Sequence, residues 1–217
     1  MRHNPSTVVV LAGQPSEQVL AALDQSLNVV LVRPRSSGTS AKDANGTEAA
    51  AGALRRAAGI SAAYVLVAAD PLSAVASAWQ DMWAVTAEPR GSEEFELRAA
   101  EALAAWRARQ FELPDYYLVL ADESAVGKAA PGIPAPAAVD EPRADFYLGP
   151  LRAVRPNRVT VAAGASAAAQ ADALLAELGS LRHGPWWPSL DEVLRTTRGF
   201  YPGTLADSTA GPAGLLG

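Results

Sequence analysis

The stretch Thr7-Val8-Val9-Val10-Leu11-Ala12-Gly13-Gln14-Pro15-Ser16-Glu17-Gln18 constrains the fold more than any other. Val8 to Ala12 are apolar without alternation, as in a strand covered on both faces. Gly13 permits a tight turn, and Pro15 suits a first helical turn, where no amide hydrogen is needed. A buried strand followed by a glycine break and a helix start belongs to an α/β architecture.

The same pattern recurs along the chain. Helical spacing of Val19, Leu20 and Leu23 predicts a helix over 17–25. Strands are expected at 28–32, 63–68, 116–121 and 159–163. A polar loop spans 35–46, long for a compact domain. Asn45 and Glu48 suit the start of a helix ending at Gly59. Asp70-Pro71 reads as the cap and first turn of a helix carrying Trp79 and Trp83 on one face. A longer helix is expected from Ser92 to about Phe111, and an Ala/Leu-rich one from Ser166 to Leu178. Asp145–Leu148 is expected as a short strand, after a proline-rich excursion over 122–144.

Strands alternating with helices imply a three-layer α/β fold with a mostly parallel sheet, Rossmann-like or flavodoxin-like. The expected division is 1–183 for this domain and 184–217 for a short helical C-terminal extension. That extension opens with Gly184-Pro185-Trp186-Trp187-Pro188. Ser189 and Glu192 then form an S-x-x-E capping pattern. Two adjacent tryptophans are too apolar to leave exposed. Either they anchor the extension on its own domain, the favoured reading, or they form a subunit contact in a homo-oligomer.

Composition narrows the function classes. The chain has 217 residues, no cysteine and a net charge of −5. Disulfides, thiolate metal sites and a cysteine nucleophile are excluded. An acidic chain disfavours a general nucleic-acid role. No apolar run long enough to span a membrane is present, and no h-region precedes the first strand, so a cytoplasmic setting is expected. Only Lys42 and Lys128 among the 18 basic residues are lysine, a bias expected of a GC-rich bacterial genome.

In open α/β sheets, ligands sit at the C-terminal ends of the strands. Gly13, Gln14 and Ser16 would present amide groups and a hydroxyl to an anion there, although the G-x-G-x-x-G spacing is missing. Arg33, Arg35 and Ser36 follow the second strand, where arginine can receive a phosphate. Asp70 and Asp122 sit at strand ends, where paired carboxylates can bind magnesium or move protons. Each of these has a plainer structural reading, as turn, cap or solvated charge, and that reading is favoured. Gly127-Lys128 fails as a phosphate-binding loop because Asp122 and Ala129 replace the required glycine and hydroxyl. His3 and His183 are too few for a histidine metal site or an obvious triad. Arg152, Arg155 and Arg158 are expected at the surface or an interface, because Pro156 argues against the helix that would gather them. The expectation is a protein binding a small anionic or nucleotide-like ligand, with a non-catalytic assembly protein as the alternative. No cofactor or reaction is specified.

Overall fold

The computed structural model describes residues 6–13, 15–34, 45–83, 90–122 and 144–200. Five parallel strands form one sheet: β1 (Thr7–Ala12), β2 (Val29–Val32), β3 (Tyr64–Val67), β4 (Tyr116–Asp122) and β5 (Val159–Gly164). Their order is β2-β3-β1-β4-β5. The four strands expected at 8–12, 29–32, 65–68 and 118–121 are thus adjacent and parallel. The order itself departs from both common doubly wound patterns, 3-2-1-4-5 and 2-1-3-4-5, because β3 lies between β2 and β1.

Side chains of β1 divide between two cores. Val9 and Leu11 meet α1 (Glu17–Asp24) and α6 (Ala167–Gly179) on one face. Val8, Val10 and Ala12 meet α2 (Asn45–Ala57), α3 (Ser73–Trp83) and α4 (Arg90–Arg107) on the other. This division follows from connection direction. The β1–β2 crossover runs one way across the sheet, and the next three crossovers run the other way. Right-handed crossovers then place α1 on one face and α2, α3 and α4 on the opposite one.

Polar pins set the register of β1. Ser6 Oγ donates to Ile60 O at 2.6 Å and accepts from Ala62 N at 2.9 Å. Asp115 Oδ2 accepts from Val8 N at 2.7 Å, and Asp115 N donates to Val8 O at 2.8 Å. These bonds align β3 and β4 on either side of β1. Capping follows the sequence signals, with Ser16, Ser166 and Ser189 each accepting a bond from the backbone amide three residues on.

The expected strand at 145–148 is helical instead. Element α5 comprises Ala144–Phe146, a π-helical stretch Tyr147–Leu151 and Arg152–Val154. The wider π turn accommodates Pro150, whose missing amide hydrogen leaves no donor to satisfy. Phe146, Tyr147 and Leu151 are all buried against the second face. A strand there would alternate and could not bury the adjacent Phe146 and Tyr147 on one side.

The C-terminal segment corrects another expectation. Trp187 is only 5% exposed. Its ring meets Tyr117 edge-on, and its Nε1 donates to Pro114 O at 2.8 Å. Trp187 therefore belongs to an internal aromatic cluster that also holds Trp79, Phe146 and Tyr147. A homo-oligomer through Trp186 and Trp187 is overturned, because the chain's own core already occupies the apolar surface of Trp187. Trp186 is the more exposed of the pair and stacks on Arg158. The helix that follows, α7 (Leu190–Arg198), buries Leu190, Val193 and Leu194 in the second core. Among the described residues, no helix is long and apolar enough to cross a membrane.

Arg158 differs from the surface role expected of it. It ends a 3-10 turn, Pro156–Arg158, and is buried. Its guanidinium donates to the carbonyls of Asp115, Gly184 and Pro185. Arg155 donates to Trp186 O, so two of the three arginines hold the segment that leads to α7.

Candidate functional site

The strand C-termini end beside one another, and the chain leaves them in opposed directions. From β1 it turns to the face of α1. From both neighbours, β3 and β4, the following helices α3 and α5 lie on the other face. In open α/β sheets, ligands bind where the connections reverse in this way.

Gly13 lines that corner with φ +84°, a left-handed conformation. A Cβ at Gly13 would lie 2.7 Å from the Leu120 carbonyl oxygen, so β1 and β4 approach here as only glycine allows. Ser16 follows as the cap of α1, its Oγ 3.3 Å from Val19 N. Across the same face, α6 lies beside α1, and Gly164 and Ser166 open it in the same way. Two helix N-termini therefore point their partial positive charge toward one end of the sheet.

Arg33 follows β2 at this end. Its guanidinium is tied to Glu17 in the first turn of α1 at 2.5 Å, and its carbonyl accepts from Arg56. The pair is partly solvated, so it orients the side chain and adds little stability. Gln14, Arg35 and Ser36 lie outside the described residues. Asp122 is the last residue of β4, with its side chain also outside them. The structure thus places Gly13, Ser16 and Arg33 at one end of the sheet, on β1, α1 and β2.

Asp70 is different. It sits beyond β3 and is only 8% exposed. Its Oδ1 accepts from Leu72 N at 2.9 Å, which is the capping role expected of it. Its Oδ2 accepts a 2.5 Å bond from the Tyr147 hydroxyl on α5. Burial raises the Asp70 pKa from 3.8 to about 6, against the lowering effect of the bonds from Tyr147 and Leu72 and of the nearby Tyr117 hydroxyl. Both tyrosines are pushed well above their usual range by burial and by the adjacent carboxylate, so they stay protonated. The Tyr117 hydroxyl is buried beside Asp70, yet it closes no hydrogen bond of normal geometry.

Reading the sequence identified Asp70 but missed Tyr117 and Tyr147. A buried carboxylate after a strand requires donors, but nothing local marks a tyrosine 77 positions away as one of them. Among the described residues, no group of three or more His, Asp or Glu side chains could hold a metal ion. At the opposite, N-terminal end of the strands, Leu27, Val29, Tyr64, Leu175 and Leu178 line a shallow, mainly apolar groove of about 440 Å³. It shares no residue with the corner at Gly13. Comparisons with protein families, curated proteins and solved structures found no match to this chain.

Proposed function

We propose that this chain binds a small anionic, nucleotide-like ligand above the C-terminal ends of β1 and β4. The observation that carries the reading is the opposed exit of the chain around β1, the arrangement at which open α/β sheets bind their ligands. Two features give that corner an anionic preference. The N-termini of α1 and α6 face the same end of the sheet, and backbone amides at such ends attract phosphate and carboxylate. Arg33 adds a cation whose orientation Glu17 sets. Gln14, Arg35 and Ser36 adjoin this corner in the sequence and complete the proposed contact set, with Asp122 at the end of β4. Asp70 is assigned to structure rather than to ligand contact, because both of its oxygens already accept bonds from the protein. The arginine bias and the absence of cysteine are compatible with a bacterial cytoplasm.

A thermal-shift series tests the reading with inorganic phosphate, mononucleotides and dinucleotides on the full chain. A compound bound only by the native state raises the melting temperature with concentration. The expected result is a rise with phosphorylated compounds and none with the matching nucleosides, reduced in Arg33→Ala. The same melting temperature with every compound at millimolar concentration would rule the reading out.

A further inference from the structure

We propose that a second copy of this chain pairs with the free edge of β2, antiparallel and about a two-fold axis at Val30, so that one sheet runs through both molecules. β2 ends the sheet, and among the described residues β3 is its one strand neighbour. Tyr64 N donates to Asn28 O, and Ala68 N donates to Val32 O. The main-chain groups of Asn28, Val30 and Val32 therefore face β3, and those of Val29, Leu31 and Arg33 face outward. Arg33 O accepts from the Arg56 guanidinium, which closes that end of the edge. Val29 and Leu31 present their N–H and C=O groups to a further strand.

Proteins blunt an exposed edge with a charge, a proline or a bulge. Val29-Val30-Leu31-Val32 has no charge and no proline, and its register with β3 is unbroken. Val30 is 37% exposed on the face of α2, and Leu27, just before the strand, is 90% exposed. The apolar groove at the N-terminal ends of the strands runs up to this edge, because Val29 lines it together with Leu27 and Tyr64. Trp187 packs on β4, three strands away, so this surface is separate from the aromatic segment.

The edge is complementary to itself. With the axis at Val30, Val29 of each copy exchanges both main-chain bonds with Leu31 of the other, and every outward group of the two residues is satisfied. The exposed Val30 side chains then meet across the axis, a β-branched pair with Cα atoms about 4.5 Å apart. Leu31 of the second copy lies beside Val29 and extends the apolar wall of the groove. Charge is complementary as well. The register sets Arg33 of the second copy opposite Leu27, on the face of α1, to which the Arg33–Glu17 pair assigns it. There it adjoins the negative C-terminal end of α1, where Asp24 is exposed. Opposite charges meet at both ends, and the middle carries none. A four-residue edge makes a small interface, so the dissociation constant should be on the order of 10 µM.

Sedimentation velocity on the full chain tests the pairing. The wild type should pass from monomer at about 1 µM to mostly dimer at about 200 µM. Val30→Lys sets two like charges at the axis and should stay monomeric at both, whereas Val30→Thr should still associate. The chain has no cysteine, so single cysteines report the register. Val30→Cys should form an intermolecular disulfide readily under mild oxidation, because its two copies lie within bonding range. Leu27→Cys is more exposed, but its two copies would be about 20 Å apart along the strands and should couple far more slowly. In the wild type, amide exchange at Val29 and Leu31 should slow as concentration rises over the same range, which needs no variant to fold. A wild type monomeric at the higher concentration, an associating Val30→Lys, or coupling of Leu27→Cys as fast as that of Val30→Cys would each overturn the proposal.

Discussion

The guanidinium of Arg158 lies 4.8 Å from the centre of the Trp186 ring while its three nitrogens donate to main-chain carbonyls on two separate segments. The guanidinium also lies 5.1 Å from the centre of the Tyr116 ring. The planar fork thus joins the entry to β4 to the stretch leading into α7. Lysine, with one compact ammonium, cannot reproduce three divergent bonds and a stacked face. Arg158→Lys should lower stability by about 2–3 kcal/mol, and Arg158→Ala by at least as much. Urea titration checks the size. Trypsin cleavage at Arg182 should accelerate in both variants as the segment comes free.

Trp187→Ala should cost about 3–5 kcal/mol, the usual range for emptying a buried aromatic site. The loss should be independent of protein concentration, because the ring is enclosed by its own chain. Trp186→Ala should cost about 1 kcal/mol, mainly the stacking on Arg158. Equilibrium unfolding at two concentrations a hundredfold apart checks both. A concentration-dependent midpoint for the wild type alone would contradict the internal assignment.

Three glycines offer a graded test of close approach. Gly13→Ala places a side chain in the left-handed region and against Leu120 O. It should cost about 1–3 kcal/mol. Gly164→Ala would put its Cβ 2.5 Å from Gln170 N in the backbone of α6, so β5 and α6 must separate, at about 1–3 kcal/mol. Gly179→Ala meets nothing within 4 Å. It should change stability by under about 0.5 kcal/mol. Thermal unfolding of the three variants gives the ranking.

Asp70 sets a pH dependence on the whole protein. Its folded-state pKa of about 6 lies above the unfolded value of 3.8. Between these values the native protein holds a proton that the unfolded chain has lost. Stability from this group is therefore greatest below about pH 4, falls as pH rises and is lost above about pH 6. Asp70→Asn keeps a similar shape without the charge. Its stability relative to the wild type should rise by roughly 2 kcal/mol from pH 4 to 7. Paired denaturant titrations across that range measure the difference directly.

The strands were legible because Val8–Ala12, Val65–Val67 and Leu118–Leu120 are buried from both faces and so carry no alternation. Helix starts at Ser16, Ser166 and Ser189 were legible because capping is local chemistry. Element α5 was not, since Phe146-Tyr147-Leu148 is too short to separate a strand from a π-helical turn by period. The placing of β3 beside β1 was equally hidden, because sequence order says nothing of which neighbour a crossover passes. Of the candidate site, the glycine turn at Gly13 and the cap at Asp70 were readable from adjacent residues. The hydroxyl of Tyr147 and the clasp of Arg158 depend on contacts between distant segments, and no local pattern encodes them.

The central position of β1 bears on how the chain is made. This strand is almost wholly apolar and needs a partner on each edge, yet both partners are synthesised late. The start of β3 meets Ser6 across 56 residues, and the start of β4 meets Val8 across 107. At about 5–20 residues per second, translation leaves β1 roughly 5–20 s without its second neighbour. During that interval a nascent chain exposes an unpaired valine-rich edge, the kind that recruits other chains. Chaperone occupancy on ribosome-bound intermediates should therefore peak before β4 emerges and fall once Asp115 can reach Val8.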